Sequence, residues 1–147
     1  MPVVSDQKLV IERVYQAPPR VVFDAWMKPE LRKQWFTPKP GLVSCTECVI
    51  DARVGGEYEI TLDVGEGKQA VLRGKFLDIE EGKKIVFTSK ACVEPADAEP
   101  STCTVEFKQI AEGTHMTFTQ VGFYSEETKR DQREGWNGCF DELKKLY

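Results

Sequence analysis

The residues best equipped for chemistry in this chain are a cysteine pair, a single histidine, and a few polar side chains set among apolar ones. Cys45-Thr46-Glu47-Cys48 is a C-x-x-C. That spacing holds zinc or runs thiol–disulfide exchange when both sulfurs reach one point. Its surroundings, "VSCTECVID", read as a strand, and residues three apart on a regular strand point to opposite faces. Two ordinary strand cysteines are therefore expected, with no metal site and no redox centre. Cys92, Cys103 and Cys139 stand singly, and five cysteines are an odd number in a chain long enough to fold without staples. The pattern predicts reduced thiols and a cytoplasmic protein. His115 is the only histidine. It alternates with Met116 and Phe118, so it should face outward, where a general base has neither pocket nor partner. Any Ser-His-Asp or Cys-His arrangement would have to run through it. The sequence has no glycine-rich phosphate loop and no H-E-x-x-H,. No catalytic residue and no cofactor is assigned.

Gln120 is a different case. Met116, Phe118, Gln120 and Gly122 share one face of the last strand,. On a concave face that puts an amide among hydrophobic groups, and a buried amide requires a partner. A ligand, a water, a neighbour such as Gln132, or some other internal hydrogen bond would supply it. Arg53, ahead of a glycine pair, is read as pinning a hairpin or pairing with a carboxylate rather than touching a ligand. Among the aromatic residues, Trp35, Phe36, Tyr58, Phe87, Phe118 and Trp136 are the candidates to line a pocket. Phe36 would stand at its mouth, before "TPKPG". Gln120, Gln132 and Arg133 would orient a polar end of the bound molecule. A solid core would use the same aromatic set. Were the protein an enzyme, Glu134 or Tyr58 would be the acid or base.

These residues must be positioned by elements that the periodicity reveals. "KLVIERVYQ" alternates as a strand,. Pro19 suits the first turn of a short helix with Val22, Phe23 and Trp26 on one stripe; Pro29 ends it and opens a second, with Leu31 and Trp35 at i, i+4,. Six strands follow, joined largely by short turns at "RVGG", "GEGK", "EEGK" and "AEG",. An acidic loop, "CVEPADAEP", interrupts them. Ser125 is an N-cap, with Glu126 and Glu127 in the first turn of a helix that runs to Tyr147,. Short connections favour antiparallel neighbours. One long helix covers seven strands only if the sheet curls around it.

The closing helix changes character halfway. Forward of Trp136 the stripe is Cys139, Phe140, Leu143 and Leu146; backward it is Arg133, Gln132 and Lys129. Gly135 and Gly138 sit at the changeover, suited to a bend or to close approach by a neighbouring backbone. A helix roofing a cavity open at one end has that composition, and so has one overhanging the sheet edge.

The bulk numbers set limits. With 147 residues, the chain fits one domain spanning 1–147, and its net charge of −4 gives no general affinity for nucleic acid or an anionic membrane,. "MPVVSDQK" has no secretory pattern, and no apolar run is long enough to insert in a bilayer,.

The ordered segments "IERVYQAPPRVVFDAW", "KQWFTP", "DARVGGEYEI", "GKFLDIEEGKKIVFT", "EGTHMTFTQVGF" and "EGWNGCFDELKKL" resemble homologues of the C-terminal domain of the Hsp-ninety ATPase activator, within the START-like (SRPBCC) superfamily. The resemblance implies an α+β helix-grip fold: a curved antiparallel sheet of about seven strands around a long C-terminal helix, with two short helices after the first strand. It also implies a pocket between sheet and helix. The expected function is non-catalytic binding of a small hydrophobic or lipid-like ligand. The alternatives within the superfamily are a cyclase- or dehydratase-like enzyme and a module that docks on a chaperone partner.

Overall fold

The computed structural model describes residues 4–39, 41–91, 99–123 and 125–147. Most of the expected acidic loop, with Cys92, lies outside the described residues. The elements follow the order β1 (Val4–Tyr15), α1 (Pro19–Met27), α2 (Pro29–Trp35), β2 (Ser44–Ile50), β3 (Glu57–Gly65), β4 (Lys68–Glu80), β5 (Lys84–Ala91), β6 (Ser101–Ile110), β7 (Gly113–Phe123) and α3 (Glu126–Leu146). The strands form one curved, seven-stranded sheet in the order β1-β7-β6-β5-β4-β3-β2, with every neighbouring pair antiparallel. From β2 to β7 the path is a simple meander. The first strand then closes on the last, so α1 and α2 carry the chain from one sheet edge to the other. This is the expected α+β helix-grip arrangement.

Period-two alternation selects the inner face. Ile85, Phe87 and Ser89 of β5 are buried, as are Cys103, Val105 and Phe107 of β6 and Met116, Phe118 and Gln120 of β7. The helices complete the core. Pro19 and Pro29 each open a helix with a preset φ, and the Lys28 N–H donates to the Asp24 carbonyl at 2.9 Å where the first hands over to the second,. In α2 the buried residues are Arg32 and Trp35. The expected Leu31–Trp35 stripe is therefore rotated by one position, and an arginine takes the inward place.

The long helix α3 begins at Ser125, whose Oγ accepts the Thr128 N–H at 3.1 Å,. Its C-terminal half is fastened to β1. Arg13 donates from Nη1 to Asp141 Oδ1 at 2.7 Å and from Nη2 to Asn137 Oδ1 at 2.8 Å. Lys144 Nζ donates to the Val14 carbonyl at 2.9 Å, and the Gln16 N–H to the Tyr147 carbonyl at 2.8 Å. Near the middle, the segment after α2 crosses the helix. A Cβ built on Gly138 would lie 2.1 Å from the Pro38 carbonyl oxygen. Glycine is there because a backbone passes too close for any side chain. Of the two readings offered by the sequence, bend or close approach, α3 takes the second and stays continuous.

Candidate ligand cavity

Between α2, the N-terminal half of α3 and the inner faces of β3, β4 and β5 lies a partly open cavity of about 170 Å³. Tyr58 and Leu62 come from β3, Ala70 and Leu72 from β4, Ser89 from β5, and Arg32, Phe36 and Pro38 from α2 and the loop after it; α3 supplies Asp131, Gln132, Gly135, Trp136 and Cys139. The position follows from α3's change of composition. Beyond Trp136 it presents apolar groups to the sheet, whereas exposed Asp131 and half-buried Gln132 stand at the rim.

Of the eight candidate residues, Phe36, Tyr58, Gln132 and Trp136 line this cavity. The structure places the other four in the solid core beside it. Trp35 is fully buried, with Nε1 donating to the Ala25 carbonyl at 3.0 Å. Phe87 sits between Trp26 and Tyr58, with ring centroids 6.0 and 5.7 Å away. Phe118 lies against Trp136 with ring centroids 4.5 Å apart and the planes tilted by 43°. Gln120 is 1% exposed, and its Oε1 accepts the Trp136 indole N–H at 3.0 Å. Its amide is thus partnered from within, and its work is to hold the indole that forms the cavity wall.

Arg32 was not anticipated. It is 4% exposed, lines the cavity, and lacks a carboxylate partner among the described residues. Nη1 donates to the Trp26 carbonyl at 3.0 Å, and Nε has no hydrogen-bond partner. The guanidinium carbon lies 4.5 Å from the Phe36 ring centroid, 4.8 Å from that of Trp26 and 5.3 Å from that of Trp35. Burial pushes its pKa below the ordinary arginine value, against opposing pulls from Cys48, Tyr58, Cys139 and Cys45. Arginine nevertheless stays protonated in proteins. Its acidic neighbours are held neutral by the same burial, which raises the pKa of the Tyr58 phenol and of the Cys139, Cys48 and Cys45 thiols. Tyr58 Oη donates to the Thr88 carbonyl at 2.7 Å. The sequence did hold a signal: "LRKQW" puts Arg32 one helical turn before Trp35. On a helix as short as α2, the flanking prolines leave the inward direction undetermined by pattern alone.

The remaining candidates divide. His115 faces outward, as expected, but has a partner there: its Nε2 lies 3.2 Å from Glu12 Oε1. Arg53 pairs with Asp51 at 2.8 Å in the hairpin. Arg133 and Glu134 are exposed on α3 and do not line the cavity. The cysteine pair corrects the sequence reading. A bulge between Cys45 and Glu47 shifts the register, so that Cys45 faces Leu62 and Cys48 faces Ile60. Those partners share the inner face, so the two thiols do as well. Both are half-buried against the core, and among the described residues no third metal-ligating side chain joins them.

The fold has relatives among solved structures. The protein CV1439 from Chromobacterium violaceum superposes with a TM-score of 0.83 at 24% identity, covering 95% of this chain and 96% of its own, which speaks to the fold. The Mll3558 protein from Rhizobium loti gives 0.82 at 28% identity, covering 99% of both chains. A putative uncharacterized protein from Rhizobium leguminosarum gives 0.78 at 30% identity, covering 94% of this chain and 91% of that one. Among curated proteins, none matches. The sequence profile of the Activator of Hsp90 ATPase homolog 1-like proteins matches residues 16–147, and with sheet, gripped helix and cavity in place, the chain belongs to that family.

Proposed function

We propose that the protein is a cytoplasmic binder of a small, mainly apolar molecule, held beneath the first half of α3 and not chemically transformed. The observation that carries this reading is the cavity itself, walled by Phe36, Leu62, Leu72 and Trp136. A void of roughly 150 Å³ suffices for benzene, so about 170 Å³ suits a single ring or a short branched chain. A whole acyl chain would require α3 to lift. Burying about 150 Å² of such a molecule contributes ~4 kcal/mol before entropic losses. The wall's titratable groups also favour binding over turnover. Tyr58 and Cys139 are kept protonated by burial, and Asp131 is exposed at the rim. A general base needs a pKa near the working pH and reach to the reacting proton.

A thermal-shift titration with toluene, short branched acids and longer fatty acids tests this. At a concentration about 100-fold above Kd, the one-ring class should add ~2.7 kcal/mol, raising Tm by roughly 5–10 °C. If no apolar class moves Tm, the reading fails. The second reading, a chaperone-docking module, draws on the family and on apolar side chains exposed along β2 and its flanking turns: Leu42, Val49 and Val54 are 74, 60 and 60% exposed. Stimulation of a chaperone's ATPase, abolished by Val49→Glu, would favour it.

A further inference from the structure

We propose that the cavity selects the anion of a small apolar carboxylic acid, its carboxylate on the Arg32 guanidinium and its hydrocarbon body against Tyr58, Leu62, Leu72 and Trp136. This rests on the binding reading above and narrows its ligand class. Arg32 is almost wholly buried on the cavity wall, has an orphaned Nε, and has no carboxylate within ion-pair distance among the described residues. Desolvating a charge costs more than cation–π contacts return. The three rings around it attract the cation but offer no lone pair to its N–H groups,. The Trp26 carbonyl satisfies Nη1 alone. Nε is closed off in this structure, so an acceptor entering from the cavity reaches it with a small turn of the guanidinium, and then completes the fork that guanidinium presents to carboxylates. Phosphate fits less well. It brings up to two charges to a single cation, past the Asp131 carboxylate at the rim, into a mostly apolar wall.

The test uses benzoate, its neutral isostere benzamide, and toluene as probes at pH 7, titrated into the wild-type protein and into Arg32→Met. In the wild type, benzoate should bind about tenfold or more tighter than benzamide. Arg32→Met should erase that preference while toluene still binds. The Arg32 Nε–H resonance, assigned by its loss in Arg32→Lys, should shift on adding benzoate. Equal affinity for benzoate and benzamide, or benzoate binding untouched by Arg32→Met, overturns the anion proposal and leaves the cavity reading standing if toluene binds. Failure of all three probes to bind overturns both. If Arg32→Met does not fold, the wild-type resonance decides: an Nε–H unmoved by saturating benzoate refutes the contact.

Discussion

Trp136 joins two environments through one side chain. Its ring walls the cavity, while its Nε1–H is taken by Gln120 Oε1 at 3.0 Å. Trp136→Phe keeps a ring but leaves a buried carbonyl oxygen without its donor, a loss of about 1–3 kcal/mol. Gln120→Leu removes the acceptor in turn. In a double-mutant cycle followed by urea unfolding, the pair should cost less than the sum of the two single changes by at least ~0.5 kcal/mol. Strict additivity would mean that the contact contributes nothing. At this scale the sequence was half legible. Alternation along β7 placed Gln120 inward, because period two is local. Its partner lies sixteen positions away on another element, and no periodicity links a strand residue to a helix residue. Arg32 was missed for a related reason: composition marks arginine as a surface residue, and only the path of α2 beneath α3 makes it a buried one.

Among the elements, the two glycines of α3 look alike in sequence and do different work. At Gly138 a Cβ would meet the Pro38 carbonyl oxygen at 2.1 Å, and that oxygen belongs to backbone that cannot step aside cheaply. At Gly135 the nearest atom is the Pro38 Cβ at 3.4 Å, an ordinary contact. Alanine at either position gains about 0.8–1.0 kcal/mol of helix propensity. At Gly138 the clash should outweigh that gain, for a net loss of ~1–3 kcal/mol; at Gly135 the gain should survive. Urea midpoints moving in opposite directions would bear this out, and a stabilised Gly138→Ala would mean that the Pro38 loop is free to move. The sequence announced that the glycines mattered but not what they face, since the approach of "TPKPG" to α3 is a tertiary event. The Cys45–Cys48 strand shows the same limit. Regular pleating put the thiols on opposite faces, and one extra residue at a bulge brings them onto the same face. Bulges leave no trace in a hydrophobic pattern this short.

Across the whole molecule, stability and opening are segregated. Strand order from β2 to β5 and from β6 to β7 was legible because those links are short; between β5, ending at Ala91, and β6, starting at Ser101, the link is longer. The pairing of β1 with β7 is non-local; it follows from burying the faces of Leu9 and Ile11 beside Phe118. That closure also ties down one end of α3, through Arg13, Lys144 and the Gln16–Tyr147 bond. The other end has its Ser125 cap and its passage over the cavity. Free energy of local opening should therefore fall along α3 from its C-terminus toward its N-terminus, since opening tracks the number of tertiary fastenings lost. A molecule entering the cavity would touch α3 from Asp131 to Cys139, mostly in the loosely held half. Hydrogen exchange with and without saturating benzoate should show added protection in the first half of α3, in α2, and in β3 and β4. Amides of the β1–β7 ladder that exchange by small local fluctuations should be unchanged, and those that exchange only by global unfolding should gain no more than the increment the Tm shift reports. No added protection in the first half of α3 would instead mean that its opening does not break the site, and that α3 does not divide into an anchored half and a gating half.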